Sequence, residues 1–323
     1  MNNIIIIACT NVGRHIILEI LKNKNIKSKI SGVVNLNLKQ SLYKSNYDSY
    51  HDIIKEYKIP ILYVDNINEK KSLEWIKKFK PKIILQSGWS QKFSKELLHI
   101  PKYGCIGEHP APLPYGRGAA CVNWGLIKGI KNWGDTFFLM NNDYDNGPIL
   151  SQKFFKIYTN DNVKTVYDKI CFTSKEIVEE NIDKWTLGKF NLTNQNKSNI
   201  VYFNKRYPED GEIYLQENVN DIHNKIRALT KPYPGAFIRN NNDKIYIWNS
   251  EIPKKNSKII KFLNSKELFV KFDKNLLLLK VGKKMNSVIK IYRANINNDP
   301  DIWGCELFTY FKKNRKLFSK KKF

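Results

Sequence analysis

Short apolar runs alternating with helix-spaced segments in the first ninety residues leave few folds open to this chain. Ile4 to Cys9 (IIIIAC) has no polar face and predicts a strand buried on both sides. Val12 to about Leu21 carries helical spacing, and SGVV (Ser31 to Val34) predicts a second strand. A polar stretch rich in Asn, Lys, Ser and Tyr follows and reads as a loop. Next come a strand at IPILYV (Ile59 to Val64), a charged amphipathic helix around Leu73 to Phe79, and a strand at KIILQSG (Lys82 to Gly88). This rhythm predicts an α/β fold: a Rossmann-like, mostly parallel sheet with helices on both faces. Such sheets bind ligands at the carboxyl ends of their strands, which points to the residues after Cys9, Leu85 and Ile106. The first turn, Thr10 to Gly13, lacks GxGxxG, so a nicotinamide dinucleotide is poorly supported.

A chain of 323 residues suits about two domains. Residues 147–157 read as a strand. Residues 163–186 read as a long helix, with Val163, Val166, Ile170, Phe172, Ile177, Val178 and Ile182 on its apolar side. The polar run KFNLTNQNKSN then reads as a linker. The expected boundaries are a first domain at 1–187, a linker at 188–200, and a smaller, mainly β C-terminal domain at 201–323. That second domain is expected to hold a helix from Asp221 to Leu229, strands at AFIRN, KIYIWNS, ELFVKF and NLLLLKV, and a frayed basic tail, RKLFSKKKF. Five cysteines, none spaced as CxxC, argue against a disulfide framework or a zinc knuckle and read mostly as small buried hydrophobes. The N-terminus lacks the basic start and cleavage site of a signal peptide, and no run reaches the ~18 apolar residues of a membrane span. The cytoplasm is the expected compartment. The formal net charge of +25 either marks an anionic partner such as tRNA or reflects a bias towards Lys, Asn and Ile in the composition; it supports an anionic substrate only weakly.

The chemistry concentrates between Cys105 and Gln152. A strand ends at His109-Pro110, a Pro-rich turn leads to Gly116-Arg117-Gly118, and a helix is expected from about Ala119 to Lys128. A further strand, TFFLM, leads to an acidic loop ending Asp145-Asn146-Gly147. A lone His at a strand end is more often structural than catalytic. An Asp returned to the same cleft by the intervening helix and strand changes that, because a His held by a carboxylate is a plausible general base. Asp145 is also a plain turn former before Gly147, and Asp143 competes for the role.

HPAPLPYGRG, NWGLIKG, GDTFFLM and DNGPI together resemble the 10-formyltetrahydrofolate-dependent formyltransferase family. The resemblance covers the whole first domain. NKRYPEDGEI and IRALTKPYPGAF look like the region that follows the catalytic domain in sugar N-formyltransferases, with a related stretch in methionyl-tRNA formyltransferases. The family's site is an Asn, a His two residues on, and a distant Asp. His109 and Asp145 match the last two, and the Asn position falls on Gly107. Losing one oxyanion donor commonly costs about 10²–10³ in rate. Either another donor replaces it, a backbone N–H near Gly107 or the side chain of Asn123, or the chemistry is altered or lost. Glu108 fills the variable position, and an ionised carboxylate cannot donate.

The resemblance implies a mechanism in which His109 accepts the amine proton and Asp145 orients it, with 10-formyltetrahydrofolate as cosubstrate and no metal. It places the folate pocket at Gln86, Ser87, Gly88, Trp89 and Ser90, with Asn141, Asp143 and Tyr144 as the other wall. Trp89 is equally readable as ordinary packing. For the acceptor, Arg117 meets a phosphate at a helix start or is a surface residue in a turn; Lys205 and Arg206 face a diphosphate or a domain interface; Tyr233 stacks on a base or packs its turn. The first functional reading is formylation of a nucleotide-linked amino sugar in surface-polysaccharide biosynthesis, with dimerisation through the second domain. The second is formylation of methionyl-tRNA. A third is a folate- or sugar-nucleotide-binding homologue with altered catalysis, and a hydrolase releasing formate is a further possibility.

Overall fold

In the computed structural model, which describes residues 3–22, 30–42 and 46–316, the apolar runs become strands of one seven-stranded sheet. The chain runs β1 (Ile4–Ala8), α1 (Asn11–Lys22), β2 (Ile30–Leu36), α2 (Leu38–Ser41), α3 (His51–Tyr57), β3 (Ile61–Val64), α4 (Lys70–Lys78), β4 (Ile83–Ser87), α5 (Lys95–Leu98) and β5 (Cys105–His109). It continues through β6 (Tyr115–Gly118), α6 (Cys121–Ile127), β7 (Asn132–Leu139), β8 (Ile149–Lys156), α7 (Val163–Trp185) and β9 (Val201–Phe203).

The sheet order is β3-β2-β1-β4-β5-β7-β8, with β1 to β5 parallel and β7 and β8 antiparallel. The expected mostly parallel sheet is therefore present. The four isoleucines Ile4 to Ile7 are at most 1% exposed, and each such side chain contributes about 1.5–3 kcal/mol of burial. The chain leaves β1 for β2 and β3 on one side and returns to β4 on the other. That reversal opens a crevice at the strands' carboxyl ends.

The stretch expected to be a loop after Val34 instead extends β2 and forms α2 and α3. Ile53 and Ile54 give α3 a buried face, and the hydroxyl of the fully buried Tyr50 donates to the Thr10 carbonyl at 2.7 Å. Within α7, Val166, Ile170, Ile177, Val178 and Ile182 are buried, whereas Phe172, expected on that face, is 61% exposed. It lies two residues from Ile170, about 200° around the helix.

Two units divide the chain. The first holds residues 1–121, 131–157 and 165–204; the second holds 122–130, 158–164 and the chain from Lys205 on. Residues 188–200, expected as a linker, belong to the first unit. Thr193 pairs with Ile149 through two backbone hydrogen bonds of 2.8 and 2.9 Å, and β9 runs parallel beside β6. The second unit borrows most of α6. Asn123 Nδ2 donates to the Ala228 carbonyl at 2.7 Å, and Arg227 Nη1 donates to the carbonyls of Tyr158 and Asp161.

The remaining elements of the second unit are α8 (Val219–Leu229), β10 (Ala236–Asn240), β11 (Asp243–Glu251), α9 (Ser257–Leu263), β12 (Phe269–Asp273), β13 (Leu276–Val281), β14 (Ser287–Ile296), β15 (Ile302–Trp303) and α10 (Gly304–Lys313). Its antiparallel sheet runs β10-β11-β14-β13-β12, with β15 on β14. The four expected strands are present. β14 at its centre, α9 and α10 were not expected. The tip of the basic tail, 317–323, lies outside the described residues.

Candidate functional site

His109 ends β5 at the carboxyl edge of the sheet, where the antiparallel partner β7 pairs Thr136 with it and Phe138 with Gly107. Strand alternation puts Gly107 and His109 on one face and Glu108 on the other. The Pro-rich turn beyond His109 is fixed from behind. Trp133 Nε1 donates to the Pro110 carbonyl at 2.9 Å, Thr136 Oγ1 to Ala111 at 2.6 Å, and Gln152 Nε2 to Leu113 at 2.9 Å.

His109 is 7% exposed. Its Nε2 lies 2.8 Å from the Gly116 carbonyl, and its Nδ1 lies 3.7 Å from Asp145 Oδ1. The other carboxylate oxygen of Asp145 accepts a hydrogen bond from the Gly118 N–H at 2.8 Å. Burial opposes a charge on the ring. Cys121, Asp145 and the Gly116 carbonyl overcome that opposition and raise the His109 pKa to about 10. Asp145, not Asp143, faces the histidine: Asp143 Oδ2 accepts from Asn146 at 3.3 Å, and its N–H donates to the Asn141 side chain. Cys121, expected only as a buried hydrophobe, is a second group against the ring. Nothing in its spacing distinguished it from the other buried cysteines.

Six of the eight residues expected around the folate line one pocket: Gln86, Trp89, Ser90, Asn141, Asp143 and Tyr144. Gln91, Lys92, Phe93, Phe138, Met140 and Asp145 complete it. The other two face elsewhere. Ser87 points through the sheet, its hydroxyl donating to the buried Glu108 Oε2 at 2.7 Å. The Gly88 carbonyl accepts the Cys9 thiol at 3.1 Å, and a side chain at position 88 would collide with Thr10. Trp89 Nε1 is buried and, among the described residues, has no hydrogen-bond partner.

At Gly107 a Cβ would stand 2.9 Å from the Phe138 ring and 3.1 Å from Met140 Cγ. The volume that an Asn side chain would need is filled. The Asn123 side chain, the other expected donor, belongs to the second unit, where it donates to the Ala228 carbonyl at 2.7 Å.

Arg117, expected at a helix start facing a phosphate, lies instead in β6 and is 2% exposed. Its Nε and Nη2 donate to Gln195 Oε1 at 3.1 and 2.7 Å, and its Nη1 donates to the Tyr202 hydroxyl at 3.0 Å. No N–H fork is left facing solvent. Lys205, Arg206 and Tyr233 all belong to the second unit. Lys205 is exposed, 5.5 Å from the Tyr207 ring. Arg206 stacks 4.6 Å from the Trp124 ring and donates to the Asp210 carbonyl, and Tyr233 closes a turn onto the Thr230 carbonyl.

On the reverse face of β5 and β7, Glu108 and Asp135 form a fully buried acid pair. Ser87 serves Glu108, and Ser174 donates to Asp135. Burial raises both carboxyls, Asp135 furthest.

Residues 2–182 match the formyl transferase family, and residues 205–296 match the formyl transferase C-terminal domain. A bifunctional polymyxin resistance protein, ArnA, of Wigglesworthia glossinidia brevipalpis is 40% identical over 197 residues, 61% of this chain but only 30% of that protein. In fold, the chain is similar to the N-formyltransferase from Helicobacter canadensis, solved with folinic acid and dTDP-3-aminofucose. The TM-score is 0.69 at 18% identity, over 91% of this chain and 100% of that one. It is also similar to WlaRD, a sugar 3N-formyl transferase solved in the presence of dTDP and 5-N-formyl-THF, with a TM-score of 0.65 at 19% identity over 93% and 99% of the two chains. A family match over more than half the chain, with the C-terminal match following it in order, places this protein in the formyl transferase family.

Proposed function

We propose that the enzyme transfers a formyl group from 10-formyltetrahydrofolate to the amine of a nucleotide-linked amino sugar. The observation that carries this reading is the placing of His109 and Asp145 beside a pocket walled by Gln86, Trp89 and Ser90 on one side and 141–144 on the other. The orphaned Trp89 N–H fits a ligand acceptor, because a buried donor left unpaired costs about 1–3 kcal/mol.

When bound, the folate would supply the formyl carbon that the amine attacks, and would leave as tetrahydrofolate as its N10–carbon bond breaks. His109 accepts the proton released by that amine. Asp145 holds the charged imidazole in place and stabilises it, and Gly118 fixes the carboxylate. The Gly116 carbonyl orients the ring from its other nitrogen. A nucleotide-linked amino sugar as acceptor is supported by the ligands of the two similar solved enzymes.

Purified protein incubated with 10-formyltetrahydrofolate and a panel of nucleotide-linked amino sugars, with methionyl-tRNA and a no-acceptor control, tests this by mass spectrometry. A formylated sugar nucleotide that disappears in His109→Asn is the expected result. Formylated methionyl-tRNA, or folate binding without any product, would overturn it.

A further inference from the structure

Beyond α7 the chain returns to the site through the polar segment 189–199, and one residue of that segment reaches the acidic loop. Gln195 Nε2 donates to the carbonyls of Asp145 and Gly147 at 2.9 and 2.8 Å. Its Oε1 accepts both hydrogen bonds from the buried Arg117. All of the amide's capacity is used, and its orientation is determined, because a flipped amide would set its NH₂ against a guanidinium that only donates. Arg117 is locked in turn by the Tyr202 hydroxyl, with its guanidinium 5.6 Å from that ring's centre.

The residue so gripped has an unusual backbone. Asp145 has φ +50°, a left-handed conformation that residues with a side chain adopt uncommonly and that needs support from neighbouring groups to be held uniquely. One Gln195 bond falls on that residue's own carbonyl and the other on the carbonyl two residues further on. Neighbouring Gly116 and Gly118 touch His109 and the Asp145 carboxylate directly, so Arg117 lies between the two backbone groups that line the catalytic pair.

We propose that Gln195, backed by Arg117, is a positioning residue for the Asp145–His109 pair, imposing the left-handed turn that sets the carboxylate beside the ring. This rests on the reading of His109 and Asp145 as the catalytic pair.

The test is the titration of the His109 ring followed by NMR in the ligand-free protein, assigned with His109→Gln. Gln195→Met keeps the length and removes both donors. Arg117→Lys keeps the charge and removes the fork. Asp145→Asn sets the full effect of losing the carboxylate. Cys121, Glu108 and Asp135, the other groups acting on the ring, are untouched by these changes. The expected result is a His109 midpoint displaced in both variants towards that of Asp145→Asn. The double variant should be no worse than either single one. Turnover should fall by up to about 10²-fold, as for a catalytic group misplaced by an ångström, with the folate KM little changed. Gln195→Asn, which keeps the amide on a shorter stem, should give an intermediate midpoint and serves if the Met variant does not fold. A lowered Tm with an unmoved His109 midpoint would overturn the proposal and leave Gln195 as a loop staple. A displaced midpoint in a protein whose wild type formylates no acceptor would uphold the positioning role while sinking the assigned function.

Discussion

The Phe138 ring occupies the space beside Gly107, 2.9 Å from where a Cβ would stand, and Met140 closes it from the other side. The family's Asn cannot be restored here by one substitution. Gly107→Asn should overpack the strand and lower stability by about 1–3 kcal/mol. Phe138→Ala is itself destabilising by about 3–5 kcal/mol, but Gly107→Asn should cost less in that background than in the wild type, and a double-mutant cycle shows it. Thermal denaturation of the single and double variants measures both. An unchanged Tm in Gly107→Asn would show that the ring moves aside freely.

The pH dependence of turnover should follow His109. Its pKa is raised to about 10, so at neutral pH the ring is charged and cannot accept a proton. The active, neutral fraction then grows about tenfold per pH unit below that value. A kcat/KM profile should climb from pH 7 towards 10, and Asp145→Asn should shift the rise to lower pH. A profile falling over that range would assign His109 the role of acid.

The acid pair behind the sheet predicts a different pH effect, on stability. Glu108 and Asp135 have carboxyls raised by burial, so the folded state keeps protons that the unfolded chain releases near pH 4. Their contribution is present in full below that pH and is lost as pH rises through the folded pKa values. Tm should therefore decline as pH rises above about 4, and Glu108→Gln, which keeps a hydrogen-bonding group without the charge, should flatten the decline. Scanning calorimetry upward from that pH decides it, and an equally steep decline in the variant would clear Glu108 and leave the effect to Asp135.

Trp89 offers a cleaner separation of stability from binding. Trp89→Phe removes a buried N–H with no partner, so the ligand-free protein should lose little or no stability. Folate affinity should fall by about 10-fold, the worth of one hydrogen bond to a ligand. Titration with 5-formyltetrahydrofolate reads the second effect. Unchanged affinity would return Trp89 to plain packing.

Strands buried on both faces announced themselves in the sequence because unbroken apolar runs such as Ile4–Ala8 have few other fates. His109 and Asp145 were legible because their motifs flank a helix and a strand that must bring the chain back. β14 was not, because SVIKIYRANI interleaves Lys, Tyr, Arg and Asn with its apolar residues. The facing of Ser87 follows from strand alternation once Gln86 is placed in the pocket, but a run apolar on both sides gives no sign of which face is which. Arg117 read as a phosphate ligand because its partner lies 78 residues away in a segment without periodicity. Gln195 could not be found at all: a polar residue among asparagines and lysines carries no local mark of what it will touch.

The pairing of β6 with β9 also bears on how the enzyme comes into being on the ribosome. Every strand of the large sheet, together with His109 and Asp145, has been synthesised by Lys156. The partner of Gly116–Gly118 and the amide that grips Asp145 emerge some forty residues later, after the whole of α7. A nascent chain can thus bury its core well before the His109–Asp145 pair is framed. A fragment ending at 187 would hold the complete sheet and both side chains of that pair while leaving the wall behind them open.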